Sequence, residues 1–210
     1  MTPQGVEQMR TTKVTTGNDC AREHEFVLVL SGVSELGPRV MDALFEAGCD
    51  DATPSVRFGR VYLTFARVAP TLKEAILSAI RDVRRAGIGA SVLYVDDCNL
   101  VTQADIARRI KRTRQQVGQY IYGKRGPGHF PGPVCDLAEG HPLWMWCEVS
   151  CWLWQNGIVG EDVLEESRAV AVINSVLDLL HQRGHDSDLV EEVFRLVEGE
   201  SEDRKQGTLF

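Results

Sequence analysis

No apolar run in this chain approaches the roughly 20 residues that a bilayer-crossing helix requires. The first 25 residues are polar and lack the apolar stretch of a secretory signal. No membrane-spanning helix is therefore expected, and a cytoplasmic protein with no membrane partner is the expectation. GxSxG, a phosphate-binding glycine loop and HExxH are all missing, so no catalytic residue is assigned and no enzyme is expected. The six cysteines, at positions 20, 49, 98, 135, 147 and 151, include no CxxC pair, which predicts reduced, mostly buried thiols. Cys147 and Cys151 stand four apart with no His near them in sequence, so they read as a buried helix face and not as a thiol nucleophile. Asp50, Asp51, Asp96 and Asp97 flank Cys49 and Cys98, but no His accompanies them at ligand spacing. Turn and cap duty is the expectation for them, with no metal and no cofactor.

One further absence carries information of the opposite kind. Between Asp105 and Asp136 there is no acidic residue, while Arg108, Arg109, Lys111, Arg112, Arg114, Lys124 and Arg125 are all basic. The chain as a whole has a formal net charge of −7. Acidity of that size argues against indiscriminate coating of nucleic acid, and a basic patch within it fits a local, oriented contact.

At 210 residues and 43% hydrophobic content, the chain has room for one or two modest cores. Residues 1–25 show no periodicity and read as a flexible tail. From Phe26 the run FVLVLSGV predicts a buried strand. A helix opening at Ser34 follows, with Val40, Met41, Leu44 and Phe45 on one side and Gly48 at its end. Ser55 to Phe58 and Val61 to Arg67 predict a hairpin turning at Gly59 and Arg60. Thr71 with Glu74 has capping-box spacing ahead of a helix carrying Leu72, Ile76, Ala79, Ile80 and Val83, and Ala90 to Val95 supplies a last strand. The order β-α-β-β-α-β over residues 26–98 matches the ferredoxin-like split unit, which gives an α+β fold class.

Residues 99–157 predict a winged helix-turn-helix. Thr102 with Asp105, and Thr113 with Gln116, mark two helix starts about one short helix apart, leaving Lys111 and Arg112 as the turn. Ala107, Ile110, Val117, Tyr120 and Ile121 fall at helical spacing as a shared small core, which leaves Arg114, Gln115, Gly118 and Gln119 on the outer face. Phe130 to Val134 and Pro142 to Trp144, separated by DLAEGH, are candidate wing strands, and a third helix runs from Trp146 to Gln155. All four Trp lie between 144 and 154, as packing that seats wing and third helix against the first two.

These residues also carry a family resemblance. TQADIARRIKRTRQQVGQYI, the FPGPV segment after a Gly-rich turn, and LWMWCEVSCWL, in that order over residues 101–156, resemble the DNA-binding domain of AlpA-like regulators and phage excisionases within the MerR-like winged-helix group. The resemblance implies that Arg114, Gln115 and Gln119 face the major groove, and that Lys124, Arg125 and His129 approach the backbone from the turn and wing. The chain departs from that pattern at Lys111, where a turn Gly is common, and in the acidic wing tip with Asp136 and Glu139.

From Glu161 to Lys205 the charge reverses, with thirteen Asp or Glu against five Lys or Arg. A helical extension is expected over residues 158–198, ahead of a flexible tail at 199–210. Val163, Val170 and Leu177 repeat every seven residues, joined by Ile173 and Leu180. That stripe can pack on its own chain or pair with a second copy through helix 161–183. Gly184 closes this helix, and Asp188 with Glu191 opens the next. The N-terminal domain is a second candidate for homodimerisation.

The expectation is a double-stranded DNA-binding transcription regulator that reads bases with helix 113–122. Arg114 is suited to guanine O6 and N7, Gln115 or Gln119 to adenine, and Lys111, Arg112, Lys124 and Arg125 to phosphates, with Thr113 at the helix start and His129 in the wing. Two alternatives stay open: a protein-interaction adaptor with a non-reading helix-turn-helix, and an excisionase-like architectural factor.

Overall fold

The computed structural model describes residues 21–96, 99–135 and 140–206, without the side chains of 199–206. The fold is α+β. Its first part runs β1 (Arg22–Ser31), α1 (Pro38–Glu46), β2 (Ala52–Arg57), β3 (Arg60–Ala69), α2 (Leu72–Arg85) and β4 (Ser91–Val95). The strands form one antiparallel sheet in the order β2-β3-β1-β4. Period-2 alternation sets the register, pairing Phe26 with Phe65, Leu28 with Leu63 and Leu30 with Val61, so that these residues bury on one face. Ala75, Ile76, Ala79 and Val83 recur at helical spacing on α2 and close over that face, with Leu44 of α1. Full burial of each larger apolar side chain contributes about 1.5–3 kcal/mol.

Several boundaries differ from expectation. Strand β1 starts at Arg22, inside the expected tail, because its pairing with β3 continues to Arg22↔Ala69. Helix α1 opens after Gly37 instead of at Ser34, because Pro38 is compatible only with a first turn. The hairpin turns at Phe58 and Gly59, one residue early, since both adopt positive φ and so form the tight two-residue turn whose twist suits the strands. Thr71 accepts a hydrogen bond from the Glu74 N–H at 3.2 Å, which is half of the expected capping box.

The inward phase of β3 continues past Phe65 to Arg67, whose guanidinium makes five hydrogen bonds. They go to both carboxylate oxygens of Asp51 (2.7 and 2.8 Å), to Asp82 (2.7 Å), to the Ser78 hydroxyl (3.0 Å) and to the Gly48 carbonyl (2.7 Å). The bonds to Asp51 first, and those to Asp82, hold its proton more firmly than usual. Asp51 thus anchors an ion pair beyond the turn duty expected of it. The neighbouring Cys49 thiol is pushed up to about 11 by burial, then by Asp82.

A second core belongs to β5 (Leu100–Val101), α3 (Gln103–Arg109), α4 (Arg114–Ile121), β6 (Trp144–Met145) and α5 (Trp146–Gln155). Val101, Ile106, Ala107, Val117, Tyr120, Trp144, Trp146, Val149, Trp152 and Leu153 are buried there. Cys147 and Cys151 lie only half-buried on α5.

Helix α6 (Glu161–His185) joins the two cores. Its first turns meet α5, where the Ser150 and Ser167 hydroxyls share a buried hydrogen bond of 2.6 Å. Farther along, Val170 and Ile173 enter the sheet core. Asn174 behaves as a one-residue strand on the free edge of β4, since its amide oxygen accepts from Val95 N–H at 2.8 Å and its amide nitrogen donates to Val95 O at 3.1 Å. Of the predicted stripe, Val163, Val170 and Ile173 therefore pack on their own chain, while Leu177 is half-buried and Leu180 stays exposed. Gly184 lies inside α6 and not at its end. The break falls at Asp186, whose carboxylate accepts from Leu189 N–H at 2.9 Å and so opens α7 (Ser187–Gln206) in place of Asp188. Helix continues to Gln206, into the segment expected to be a flexible tail. Among the described residues, no helix is long and apolar enough to cross a membrane.

Candidate functional site

Both predicted capping boxes form. The Thr102 hydroxyl accepts from Asp105 N–H at 3.2 Å, and the Asp105 carboxylate accepts from the Thr102 hydroxyl (2.7 Å) and N–H (3.0 Å). These Thr102 bonds, aided by Arg108, hold the Asp105 carboxyl below its ordinary range. The Thr113 hydroxyl accepts from Gln116 N–H at 3.2 Å, and Gln116 Oε1 accepts from Thr113 N–H at 3.1 Å. Each box satisfies two otherwise orphaned donors, so two short helices hold their starts within a chain of 19 residues.

The turn between them is fixed by two closing bonds, Lys111 N–H to Arg108 O at 3.2 Å and Arg112 N–H to Ala107 O at 2.9 Å. They place Lys111 at φ 53, a left-handed conformation that glycine adopts without strain. Gly118 is buried, not on the outer face as its helical phase implied. A Cβ there would lie 2.9 Å from Gln103 Nε2, and that same amide nitrogen donates to Arg114 O at 2.7 Å. Gln103 thus clamps the first turn of α4 across the space that Gly118 leaves open.

The face that remains carries Arg114 and Gln115, both exposed, and Gln119, which is half-buried. Thr113 is exposed but committed to its cap. Lys111 and Arg112 lie beside the N-terminal end of α4. Lys124 and Arg125 lie beyond its other end, where both backbone N–H groups bond to Gln119 O at 2.8 and 3.0 Å. All four are exposed, and among the described residues no acidic side chain pairs with them or with Arg114. Two of the seven basic residues have other work: Arg108 pairs with Asp105 at 2.7 Å, and Arg109 lies over the Trp146 ring at 4.9 Å.

The tryptophans fasten the Gly- and Pro-rich segment after α4. Trp152 Nε1 donates to Gly128 O at 2.9 Å and Trp144 Nε1 to Pro131 O at 3.0 Å, while Phe130 and Tyr120 set their rings against Trp152 at 5.0 and 5.5 Å. His129, exposed at φ 54, stands between these two anchors. Among the described residues the expected wing is reduced to one bridge, Cys135 with Leu143, and the second wing strand instead pairs Trp144 with Val101 and Met145 with Leu100. Asp136 and Glu139 of the expected wing tip, and Asp97 and Cys98, fall outside the described residues.

Three positions escaped the sequence reading. Gln103 clamps α4 from a helix start where its amide has no local signature. Asn99 caps α5 from outside, its backbone carbonyl accepting from Trp146 N–H at 2.6 Å and its side chain from Cys147 N–H at 3.1 Å. Tyr122, two residues before Lys124, is 75% exposed, and an aromatic residue ending a helix run gives no hint of that. Among the described residues, no group of three or more His, Cys, Asp or Glu is gathered as a metal site. No family model, curated protein or solved structure matches this chain.

Proposed function

We propose that this protein is a sequence-specific double-stranded DNA-binding transcription regulator of the cytoplasm, and that α4 reads the major groove. The single observation that carries the proposal is the α4 face itself. Arg114 and Gln115 project from a helix clamped at both ends, between two pairs of cations that no described acid neutralises. An eight-residue helix is about 12 Å long, and the major groove is about 12 Å wide. Lys111 and Arg112 at one end and Lys124 and Arg125 at the other are therefore spaced to reach the phosphates on either side while Arg114 and Gln115 meet base edges. Gln119, half-covered, supports the reading face less than Gln115 does. Lys111 adds weight: a lysine in a conformation glycine holds better is understandable where its charge is used.

In this reading α3 and α4 are a helix-turn-helix, and the tryptophan-pinned segment 123–134 with β6 is a shortened wing of the kind the AlpA-like resemblance implies. The preceding unit, with strand order β2-β3-β1-β4 and two helices, is ferredoxin-like. One module touches few base pairs, so a dimer on a repeated half-site suits it.

A gel-shift series at several salt concentrations tests the proposal. On a selected sequence, Arg114→Ala loses roughly 5- to 150-fold in affinity and relaxes base preference. Lys124→Ala weakens all sequences alike and lowers the salt slope by about 1. Equal, sequence-blind losses in the two variants would remove base reading, and no retention on random DNA at low salt would leave the helix pair as a protein-docking device.

A further inference from the structure

Two apolar strips on the C-terminal helices lie uncovered by any described residue. On α6 it is Val172, Val176, Leu179 and Leu180; on α7 it is Leu189, Val193, Phe194, Leu196 and Val197, with exposures that reach 66%. Val172, Val176 and Leu180 of the α6 strip form one wall of a groove of about 970 Å³ whose other wall is α2, with Leu72, Leu77 and Ile80. A surface helix normally turns its apolar side to a core, and α7 has none of its own. Most of the stability of a protein helix comes from packing of its apolar face, which α7 lacks among the described residues.

We propose that the occupant of this groove is α7 of a second copy of the chain, exchanged reciprocally about a two-fold axis. Two features select it. The first is the connection. Helix α6 ends at His185 and α7 begins at Ser187, so Asp186 alone joins them, whereas antiparallel return of one helix along another takes a loop of about 2–5 residues. Leu189 N–H on Asp186 and the Arg183–Glu191 ion pair hold the junction, so α7 cannot lie back along its own α6. A short hinge that blocks closure within one chain favours exchange between chains.

Length is the second feature. Leu189 to Val197 and Val172 to Leu180 each span about 12 Å of helix, so the two strips match end to end. Nothing here depends on DNA reading.

Sedimentation or light scattering of the full chain, without DNA and across the micromolar range, tests the proposal with Val193→Asp on α7 and Val176→Asp in the groove. Both sites are half-exposed, so unchanged thermal melts and circular dichroism of the isolated chain serve as the folding control. The wild-type chain should be a dimer, each variant should weaken association by roughly a hundredfold or more, and mixing the two variants should restore part of it. In the mixture the intact α7 of one copy meets the intact groove of the other. A wild-type monomer overturns the proposal. So does a Val176→Asp dimer, which would mean that α7 pairs with α7. Dissociation by Val68→Asp on the outer sheet face, with both helix variants still dimeric, moves the contact to the sheet and equally overturns it.

Discussion

Arg67 and Arg114 carry the same guanidinium and live in opposite surroundings. Arg67 sits in the sheet core at 8% exposure with five hydrogen bonds to Asp51, Asp82, Ser78 and Gly48. Arg114 opens α4 in solvent, paired with no described acid and with four like charges at the ends of its helix. A cation whose donors are all satisfied within the chain stabilises the fold and is closed to a partner. Cations left open, gathered on one face against their own repulsion, add nothing to folding and stay available to a partner. The same contrast holds between the two units, with a polar anchor inside the sheet layer and an open one outside the helix pair.

The largest effect that can break this comparison is on stability. Arg67→Ala leaves Asp51 without its counter-ion and Asp82 with only the exposed Arg85, and the loss is about 3 kcal/mol, the low end of the range for a broken buried pair because both carboxylates keep some solvent contact. Arg114→Ala should stay within about 0.5 kcal/mol of the parent in the same urea titration. Similar losses in the two variants would dissolve the distinction. If α4 reads DNA as proposed, the order reverses in a binding assay, with the Arg114 substitution losing the larger share of affinity.

A middle-sized effect sharpens the relation between the units. Asn174 ties α6 to Val95 through both of its amide groups, and α6 also carries the contact with α5. Asn174→Ala should cost about 1–3 kcal/mol, because Val95 loses both of its partners at the sheet edge. Amide exchange should speed up at Val95 and leave the α3–α4 amides unchanged. Uniform speeding across both units would mean that they unfold as one.

What was legible in the sequence was local. Thr102 with Asp105 and Thr113 with Gln116 act over three residues, and both boxes form with the donors and acceptors that their spacing requires. The six-element order of the first unit followed from periodicity, with strand ends off by up to four residues because pairing and turn geometry set them. What stayed hidden acts at a distance: Asn99 on α5, Gln103 on α4 and Asn174 on β4 join residues up to 79 apart. The two-residue strand Leu100–Val101 is too short for any alternation to show, so the sequence points Trp144 to a partner in the wing instead. Arg67 is different, since it stands in phase with Val61, Leu63 and Phe65, and strict alternation places it inside. On the candidate face, Arg114 and Gln115 are exposed as helical phase implies. Gly118 is not, because helical phase alone does not reveal that a neighbouring side chain lies across it.

The smallest effect comes from the turn, where the two anchoring logics meet in one residue. Helices α1, α4 and α5 end on the same pair of closing hydrogen bonds, with Gly48, Gly123 and Gly157 at φ 91, 64 and 64. At the end of α3 the position belongs to Lys111 at φ 53. A non-glycine residue there costs about 1–2 kcal/mol, and glycine gives back about 0.5–1 kcal/mol through the freedom of the unfolded chain. Lys111→Gly should therefore raise stability by up to about 1 kcal/mol, while Lys111→Ala, which removes the charge but keeps the strain, should not. Both should flatten the salt dependence of DNA binding by about one phosphate contact. If the lysine is held at this turn for its charge, the glycine variant will be more stable and will bind DNA less tightly. Unchanged binding with higher stability would remove Lys111 from the reading surface and leave Arg112, Arg114, Lys124 and Arg125 to account for it.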